Sequence, residues 1–274
     1  MTYISFFLNK NIKNFKMFVF NIFFKPNLFS YFKICGTEKY KEAYNALSAI
    51  IDKNKISSIL EIGIGGHNEK YSGGNSLLAL KKYFRNATII GADIIDKSFL
   101  NSQRIKTIKI DQNNEKKLDL LGKKYGKFDI IIDDGSHFVH HQKKTFLTLF
   151  KFLNNNGFYI IEDTNSSYRR AYGGSPDLTF EKNMISFLQK FVHSVNSKLL
   201  YKKQFYKLKE FIHIDKFFFF PGIIILQKKI KNHLIADYKF LNQSLNKLNK
   251  FHIKTKGVRS EKNIKGYLER ARNL

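Results

Sequence analysis

A repeated grammar constrains this chain more than any other feature: a short apolar run ends in acids, and a segment of helical length follows. It is clearest at residues 128–164, FDIIIDDGSHFVHHQKKTFLTLFKFLNNNGFYIIEDT. Two apolar runs, residues 130–132 and 158–161, lead into Asp133-Asp134 and Glu162-Asp163, and the first pair is followed by Gly135, Ser136 and His137. This reads as strand, helix, strand. In an open parallel α/β sheet, ligands bind outside the carboxyl ends of the strands. The acids and the histidine are therefore predicted to meet at one edge of a sheet.

The same grammar extends upstream. Residues 57–62 (SSILEI), 88–93 (TIIGAD) and 106–111 (KTIKID) read as three earlier strands, each ending at or next to an acid. Helices are expected over about 76–84, 114–124 and 139–153, and an earlier one after Gly36-Thr37 with Tyr40, Tyr44, Leu47, Ile50 and Ile51 at helical spacing. Strands alternating with helices predict an α/β fold with a mostly parallel sheet. Downstream, 180–195 reads as a helix. Residues 207–213 and 217–227 read as two strands joined at Asp215-Lys216, the second a buried central strand with an irregularity at Pro221. The run Phe217 to Phe220 is assigned to the core. Residues 232–272 read as two polar helical segments.

Charge and cysteine content narrow the function. The chain has 48 Lys and Arg against 22 Asp and Glu, a formal charge of +26. Such a charge attracts polyanions, but the lysines are spread along the chain rather than clustered. Cys35 is the single cysteine, which excludes an intrachain disulfide and suits a reducing, cytoplasmic setting; a buried, inert thiol is expected. No apolar run reaches the roughly 18 residues of a membrane span. Residues 1–33 are rich in Phe and interrupted by Lys10, Lys13, Lys16 and Lys25. They are read as a helical segment, ended near Pro26-Asn27, that packs on the main domain or lies on a membrane surface such as the inner face of the cell membrane.

The strand-end residues suggest a cofactor. Glu61 is followed by Gly63, Gly65 and Gly66, a turn that lets a ligand lie close to the backbone. Asp93 ends the second strand and can accept from ribose hydroxyls; Asp111 with Gln112 follows the third and can bond an adenine edge. Successive acids suit a nucleoside with a positive centre and no phosphates, such as S-adenosylmethionine. A pyrophosphate favours helix N-termini without adjacent acids.

On these residues the chain resembles a known family. ILEIGIGGHNEKYSGGNSLLALKKYF, GADIIDKS, IDQ, FDIIIDDGSH and GFYIIEDTNSSY are similar to one branch of the class I S-adenosylmethionine-dependent methyltransferases, the metal-dependent sugar O-methyltransferases of macrolide deoxysugars and capsular heptoses. The resemblance runs over about residues 36–228, and the DDGSH and IEDT pair is its most specific part. It implies a Rossmann-like domain with a seven-stranded sheet, mostly parallel with the last strand antiparallel, and helices on both faces. It implies Mg2+ held by Asp134, Glu162 and Asp163, with His137 as general base. The candidate cofactor set is Glu61, Gly63, Gly65, Gly66, Ser76, Asp93, Asp111, Gln112 and Asp133. Tyr71, Gly73 and Gly74 are expected to cover the cofactor by the same resemblance. The chemistry is coherent: a hard cation binds oxygen, keeps positions open for substrate and acidifies a bound hydroxyl, and a neutral His removes the proton. One point strains it. Adjacent strand residues point to opposite faces, so Glu162 and Asp163 can share an ion only if the strand has ended there.

The competing uses of these residues are ordinary ones. Asp pairs cap helices, but two pairs flanking one strand–helix–strand unit with a nearby His favour a site. His140 and His141 are read as surface residues of a helix. Tyr168, Arg169 and Arg170 read as solvated loop residues or contacts to a substrate phosphate. The expected organisation is an N-terminal extension (1–35), a methyltransferase domain (36–228) and a C-terminal helical extension (229–274). The expected substrate is a sugar or nucleotide sugar, in capsule or lipooligosaccharide assembly, with no nucleic acid partner. The rival functions are an RNA methyltransferase, suggested by charge, and a non-catalytic membrane-surface protein that keeps a cofactor pocket. Oligomeric state is left open.

Overall fold

A computed structural model describes residues 26–67, 69–195 and 214–229. Its strands are β1 (Ser58–Ile62), β2 (Thr88–Asp93), β3 (Ile105–Lys109), β4 (Phe128–Asp133), β5 (Leu153–Ile161), β6 (Ile214–Phe220) and β7 (Ile223–Lys228). They form one seven-stranded sheet in the order β3-β2-β1-β4-β5-β7-β6. The first five pair in parallel, and β7 runs antiparallel to both β5 and β6. Helices α1 (Leu28–Cys35), α2 (Lys41–Ile50), α3 (Asn75–Tyr83), α4 (Glu115–Tyr125), α5 (Val139–Leu149), α6 (Met184–Gln189) and α7 (Val192–Val195) complete the described elements, apart from short 3-10 turns.

Alternation along the strands assigns residues to the two faces. Ile59, Ile89, Ile130, Ile132, Phe158, Ile160, Ile223 and Ile225 pack with Leu28, Phe32, Tyr44, Leu47, Leu77 and Leu80 of α1, α2 and α3. Their neighbours Leu60, Ile62, Ile90, Ile131, Tyr159, Ile161, Ile224 and Leu226 pack with Leu118, Phe146, Leu149, Met184 and Leu188 of α4, α5 and α6. Central strands buried on both faces read as continuous apolar runs, which is why β1, β4 and β5 look as they do in the sequence.

Several expectations change. The 3-10 turn at residues 150–152 ends α5 earlier than expected, and β5 begins at Leu153 rather than Phe158. Residues 217–227 are not one buried strand. Pro221 and Gly222 form a tight turn between β6 and β7, and Gly222 has φ +79, the conformation a Pro-Gly turn demands. β6 is therefore an edge strand, and Phe219 is exposed rather than core. The expected helix over 180–195 is two short helices, α6 and α7. α1 belongs to the core that α2 and α3 share, so a boundary at 35/36 runs through one packed layer. The strand expected over 207–213, the segments at 232–272 and residues 1–25 lie outside the described residues. Cys35 is buried. No helix among the described residues is long and apolar enough to cross a membrane.

Candidate active site

The carboxyl ends of β1, β2, β4 and β5 converge, and their backbones continue to pair past the strand ends. Gly63 N–H donates to Ala92 O at 2.8 Å, Asp134 N–H to Ile62 O at 2.9 Å and Glu162 N–H to Asp133 O at 3.0 Å. Two hollows meet there. One, of about 390 Å³, is lined by Gly63, Gly65, Asp93, Ile94, Asp111, Gln112, Asp134, His137 and His141 among others. The other, of about 260 Å³, is lined by residues of the glycine turn, by Gly73, Gly74 and Ser76, by residues 36–38 and again by Asp134. Gly65 and Asp134 line both, and so does Gly63. It has φ +78, and a Cβ there would lie 2.1 Å from Asp134 O, so only glycine lets β1 turn under the β4 end.

Most of the expected cofactor residues gather here, with distinct tasks. Asp93 accepts from Ile64 N–H at 3.1 Å and Ile95 N–H at 2.9 Å, so it fixes the glycine turn as well as facing the larger hollow. Asp111 lies beyond the end of β3 and accepts from Asn113 N–H at 2.8 Å. The Gln112 amide is committed internally: its NH2 donates to Asp133 at 2.6 Å and Thr145 at 3.1 Å, and its oxygen accepts from Ser136 N–H at 2.9 Å. The amide is therefore not free to meet a base edge. Asp133 points to the α5 side. Burial pushes its carboxyl up to about 7, against the Gln112 hydrogen bond, and its Oδ2 has no partner among the described residues. Tyr71 packs its ring on Phe99 and is not part of either hollow's lining. The buried Lys97 ammonium holds the glycine-turn loop from outside, donating to Glu69 O and to Ser72 O, the latter at 2.9 Å.

The acids of β4 and β5 divide by face. Asp134, Glu61 and Glu162 share the parity of Ile132, Ile59 and Ile160, and so face α2. There the Lys39 ammonium meets all three, at 2.6 Å from Asp134 Oδ2, 2.7 Å from Glu162 Oε1 and 3.3 Å from Glu61 Oε1. Tyr44 OH donates to the same Glu162 oxygen at 2.6 Å. Burial alone would lower the Lys39 pKa, but the charges of Glu162, Asp134 and Glu61 outweigh it and hold it well above its ordinary value. Burial pushes the Glu162 carboxyl up; Lys39 opposes this and Asp134 adds to it. One ammonium thus serves three buried acids.

Asp163 resolves the difficulty of adjacent acids. β5 ends at Ile161, and Asp163 has φ 52 and ψ 38, a left-handed conformation that breaks the strand alternation. Its Oδ1 accepts from Tyr40 OH at 2.5 Å, and its Oδ2 lies 3.4 Å from His137 Nε2. His137 also has positive φ, 60. Two non-glycine residues held in this region side by side are a mark of a functional site. Asp134, His137 and Asp163 each offer a ligand atom within 4.8 Å of the others. Glu162, expected on the same ion, accepts from Lys39 and Tyr44 through its Oε1. The donor set of Asp134 and Asp163, half-exposed and under-neutralised, suits a hard divalent cation. His141, expected at the surface, lines the larger hollow and pairs with Ser136 Oγ at 2.6 Å.

Sequence reasoning missed Lys39, Tyr40 and Tyr44. A signal was present: alternation alone places Glu61, Asp134 and Glu162 on one face, and three buried acids require a counter-charge.

The sheet order, the glycine turn and the strand-end acids give the chain the Rossmann-like fold of the class I methyltransferases. Within that class, its relatives by sequence are sugar O-methyltransferases. The chain is 42% identical over 125 residues to the mycinamicin VI 2''-O-methyltransferase of Micromonospora griseorubida, which covers 46% of this chain and 31% of that protein. It is 36% identical over 161 residues to the 8-demethyl-8-alpha-L-rhamnosyl tetracenomycin-C 2'-O-methyltransferase of Streptomyces olivaceus, covering 59% of this chain and 42% of that one. Among solved structures it is similar to MycE methyltransferase from the mycinamycin pathway in complex with Mg, SAH and mycinamycin VI, with TM-score 0.66 and 29% identity over 76% of this chain and 56% of that one. The chain thus matches less than half the length of these curated relatives. No family model matches it.

Proposed function

We propose that this chain is an S-adenosylmethionine- and Mg2+-dependent O-methyltransferase that acts on a sugar hydroxyl. One observation carries the reading: Asp134, His137 and Asp163 converge within 4.8 Å at the mouth of a hollow that Asp134 and His137 also line. The relatives support it, since those named above are O-methyltransferases of sugar-bearing compounds and one is solved with Mg and SAH.

The residues divide the work as follows. Asp93, Asp111 and the Gly63–Gly65 backbone form the nucleoside side of the cleft. Gly73, Gly74, Ser76 and residues 36–38 form the side for the amino acid end. Asp134, Glu162 and Asp163 would hold the divalent cation. When bound, the cofactor supplies an activated methyl group and the cation supplies Lewis acidity toward neighbouring sugar oxygens. His137 stands beside both acids and takes the proton from the acceptor hydroxyl. Asp163 orients the imidazole from 3.4 Å, and Tyr40 OH holds Asp163 in place at 2.5 Å. The main contribution of the fold is alignment, because displacement at a methyl carbon needs acceptor and leaving group in line.

The finer assignment to a nucleotide-activated or capsule and lipooligosaccharide sugar, handled in the cytoplasm, rests on the +26 charge, which favours a phosphorylated acceptor. The test is a methyl-transfer screen, read by mass change, over nucleotide sugars, phosphate-free glycosides and RNA, with and without chelator. Full activity in chelator refutes the metal role. Equal use of phosphate-free sugar refutes the phosphorylated acceptor, and transfer to RNA alone refutes the sugar.

A further inference from the structure

The ring of His137 belongs to two groupings. It lines the larger hollow, and it stands 6.5 Å, centroid to centroid, from the ring of Tyr172. Tyr172 in turn packs on Phe138 at 5.6 Å, and Phe138 reaches His141 at 5.4 Å. Phe138 and Tyr172 line neither hollow. They form an aromatic shelf beside the proposed base and outside the space assigned to the cofactor.

The fold does not account for either ring. Phe138 is the N-cap residue of α5 and makes no side-chain cap, at a position where Ser, Thr, Asp or Asn would satisfy a backbone N–H. It is 38% exposed and so adds little to the core. Tyr172 ends the second of two 3-10 turns, residues 164–168 and 170–172, in the loop after Glu162-Asp163. That loop closes on itself: Gly174 N–H donates to Arg169 O at 3.0 Å and Ser175 N–H to Ser167 O at 2.9 Å. Tyr172 is thus presented to Phe138 by a backbone turn rather than by core packing.

We propose that Phe138 and Tyr172 are acceptor-binding residues, a shelf on which the C–H face of the acceptor's pyranose ring stacks while its hydroxyl edge turns to His137. This deepens the sugar reading above and rests on it. A pyranose is amphipathic: hydroxyls project around its rim, and C–H groups cluster on a face. The negative face of an aromatic ring attracts such polarised C–H groups. An aromatic shelf therefore fixes the plane of the sugar without competing for the hydroxyl to be methylated, and a few polar groups are left to set its orientation. The reaction needs this, because displacement at the methyl carbon depends on alignment. Side chains that bound the hydroxyls instead would compete with the divalent site for the same oxygens. The shelf favours acceptors with one unbroken C–H face over those with an axial hydroxyl on both faces.

The test uses the full chain with S-adenosylmethionine and Mg2+, and four acceptors: methyl α-L-rhamnopyranoside, methyl β-D-galactopyranoside, UDP-glucose and GDP-mannose. Phe138→Leu and Tyr172→Leu keep apolar bulk and remove a ring from separate elements. For the acceptor that the wild type methylates fastest, each is expected to raise KM about tenfold, the loss of one aromatic contact. The kcat, the SAH affinity in calorimetry and the Mn2+ affinity in EPR stay within about threefold of wild type, a split that a purely structural role would not produce. Phe138→Tyr and Tyr172→Phe keep the rings and keep the wild-type KM. A KM within about threefold of wild type in both leucine variants overturns the proposal, as does an unchanged KM with kcat and SAH affinity falling together. A KM effect on a nucleotide sugar that is matched by an equal loss of inhibition by free UDP or GDP shows base stacking and also overturns it. Methyl transfer to none of the four by the wild type removes the sugar reading itself, and the shelf with it; leucine variants with wild-type KM on a sugar that is methylated remove the shelf alone.

Discussion

Substituting Gly63 and Gly65 separately tests whether the turn after β1 is built around contact with the β4 end. Both have positive φ, +78 and +71, so alanine at either carries the left-handed penalty of about 1–2 kcal/mol. The surroundings differ. A Cβ on Gly63 would lie 2.1 Å from Asp134 O and 2.6 Å from Gly135 Cα, whereas one on Gly65 meets nothing closer than Gly73 Cα at 3.8 Å. Backbone cannot swing aside as a side chain can, so Gly63→Ala adds an overpacking cost of about 1–3 kcal/mol. The total for Gly63→Ala is about 2–5 kcal/mol, against about 1–2 for Gly65→Ala. For a domain of this size each kcal/mol moves the melting temperature by roughly 2–4 °C, so Gly63→Ala should lose on the order of 10 °C and Gly65→Ala a few degrees. Because the clash pushes on Asp134, Gly63→Ala should also lose Mn2+ binding and SAH binding together, while Gly65→Ala retains Mn2+ binding. Thermal melts with calorimetric titration of SAH and Mn2+ measure all of this. Equal penalties at the two positions, or a Gly63→Ala protein that binds Mn2+ as wild type does, would refute the reasoning.

Other consequences are open to direct measurement. His137→Ala should lower the rate of methyl transfer by roughly 10²–10⁴ with cofactor affinity unchanged, as expected for loss of a general base; a wild-type rate removes the assignment. Lys97→Met should release the loop that Lys97 fastens through Glu69 O and Ser72 O, weakening SAH binding about tenfold in calorimetry; unchanged affinity would show that the loop is ordered by other means. Asp133 has its pKa raised to about 7 in the folded protein, above its ordinary value, so the folded state holds a proton that the unfolded chain gives up. Its contribution to stability is therefore lost as pH rises from about 4 toward 7 and is constant above that. Asp133→Asn should shrink the fall in melting temperature between pH 5 and pH 8, measured in chelator, and an unchanged fall would contradict the burial argument.

Much of the fold was legible because the central strands obey a simple rule. β1, β2 and β4 are short β-branched runs with sharp ends, and the sequence placed them within a residue. The hairpin of β6 and β7 was misread because eight apolar residues surround Pro221-Gly222, and their continuity masked a turn that two residues are enough to make. At the site, types of residue were legible and their partners were not. Asp134 and Asp163 were assigned to one ion, and the structure brings them together with His137. Glu162 was assigned with them, but its direction depends on strand parity and on α2, which lies about 120 residues earlier in the chain. No local pattern marks Lys39 among 48 Lys and Arg.

Parity also explains why the two acid pairs, alike in sequence, do different work. In Asp133-Asp134 the strand alternation still holds, so Asp133 turns to the α5 side and is bound by Gln112, while Asp134 turns to α2 and Lys39. In Glu162-Asp163 the alternation holds for Glu162 alone, since the left-handed backbone at Asp163 returns the second acid to the α2 side. The result is asymmetric: of these acids and Glu61, Asp133 alone turns to the α5 face, and the other four lie on the α2 face, where Lys39 meets three of them. An excess of negative charge on one face, with two acids and a histidine at its solvent edge, attracts a cation to that edge. The position of the proposed divalent site therefore follows from where each strand stops alternating, and Lys39, just before α2, supplies the counter-charge to the acids buried beside it.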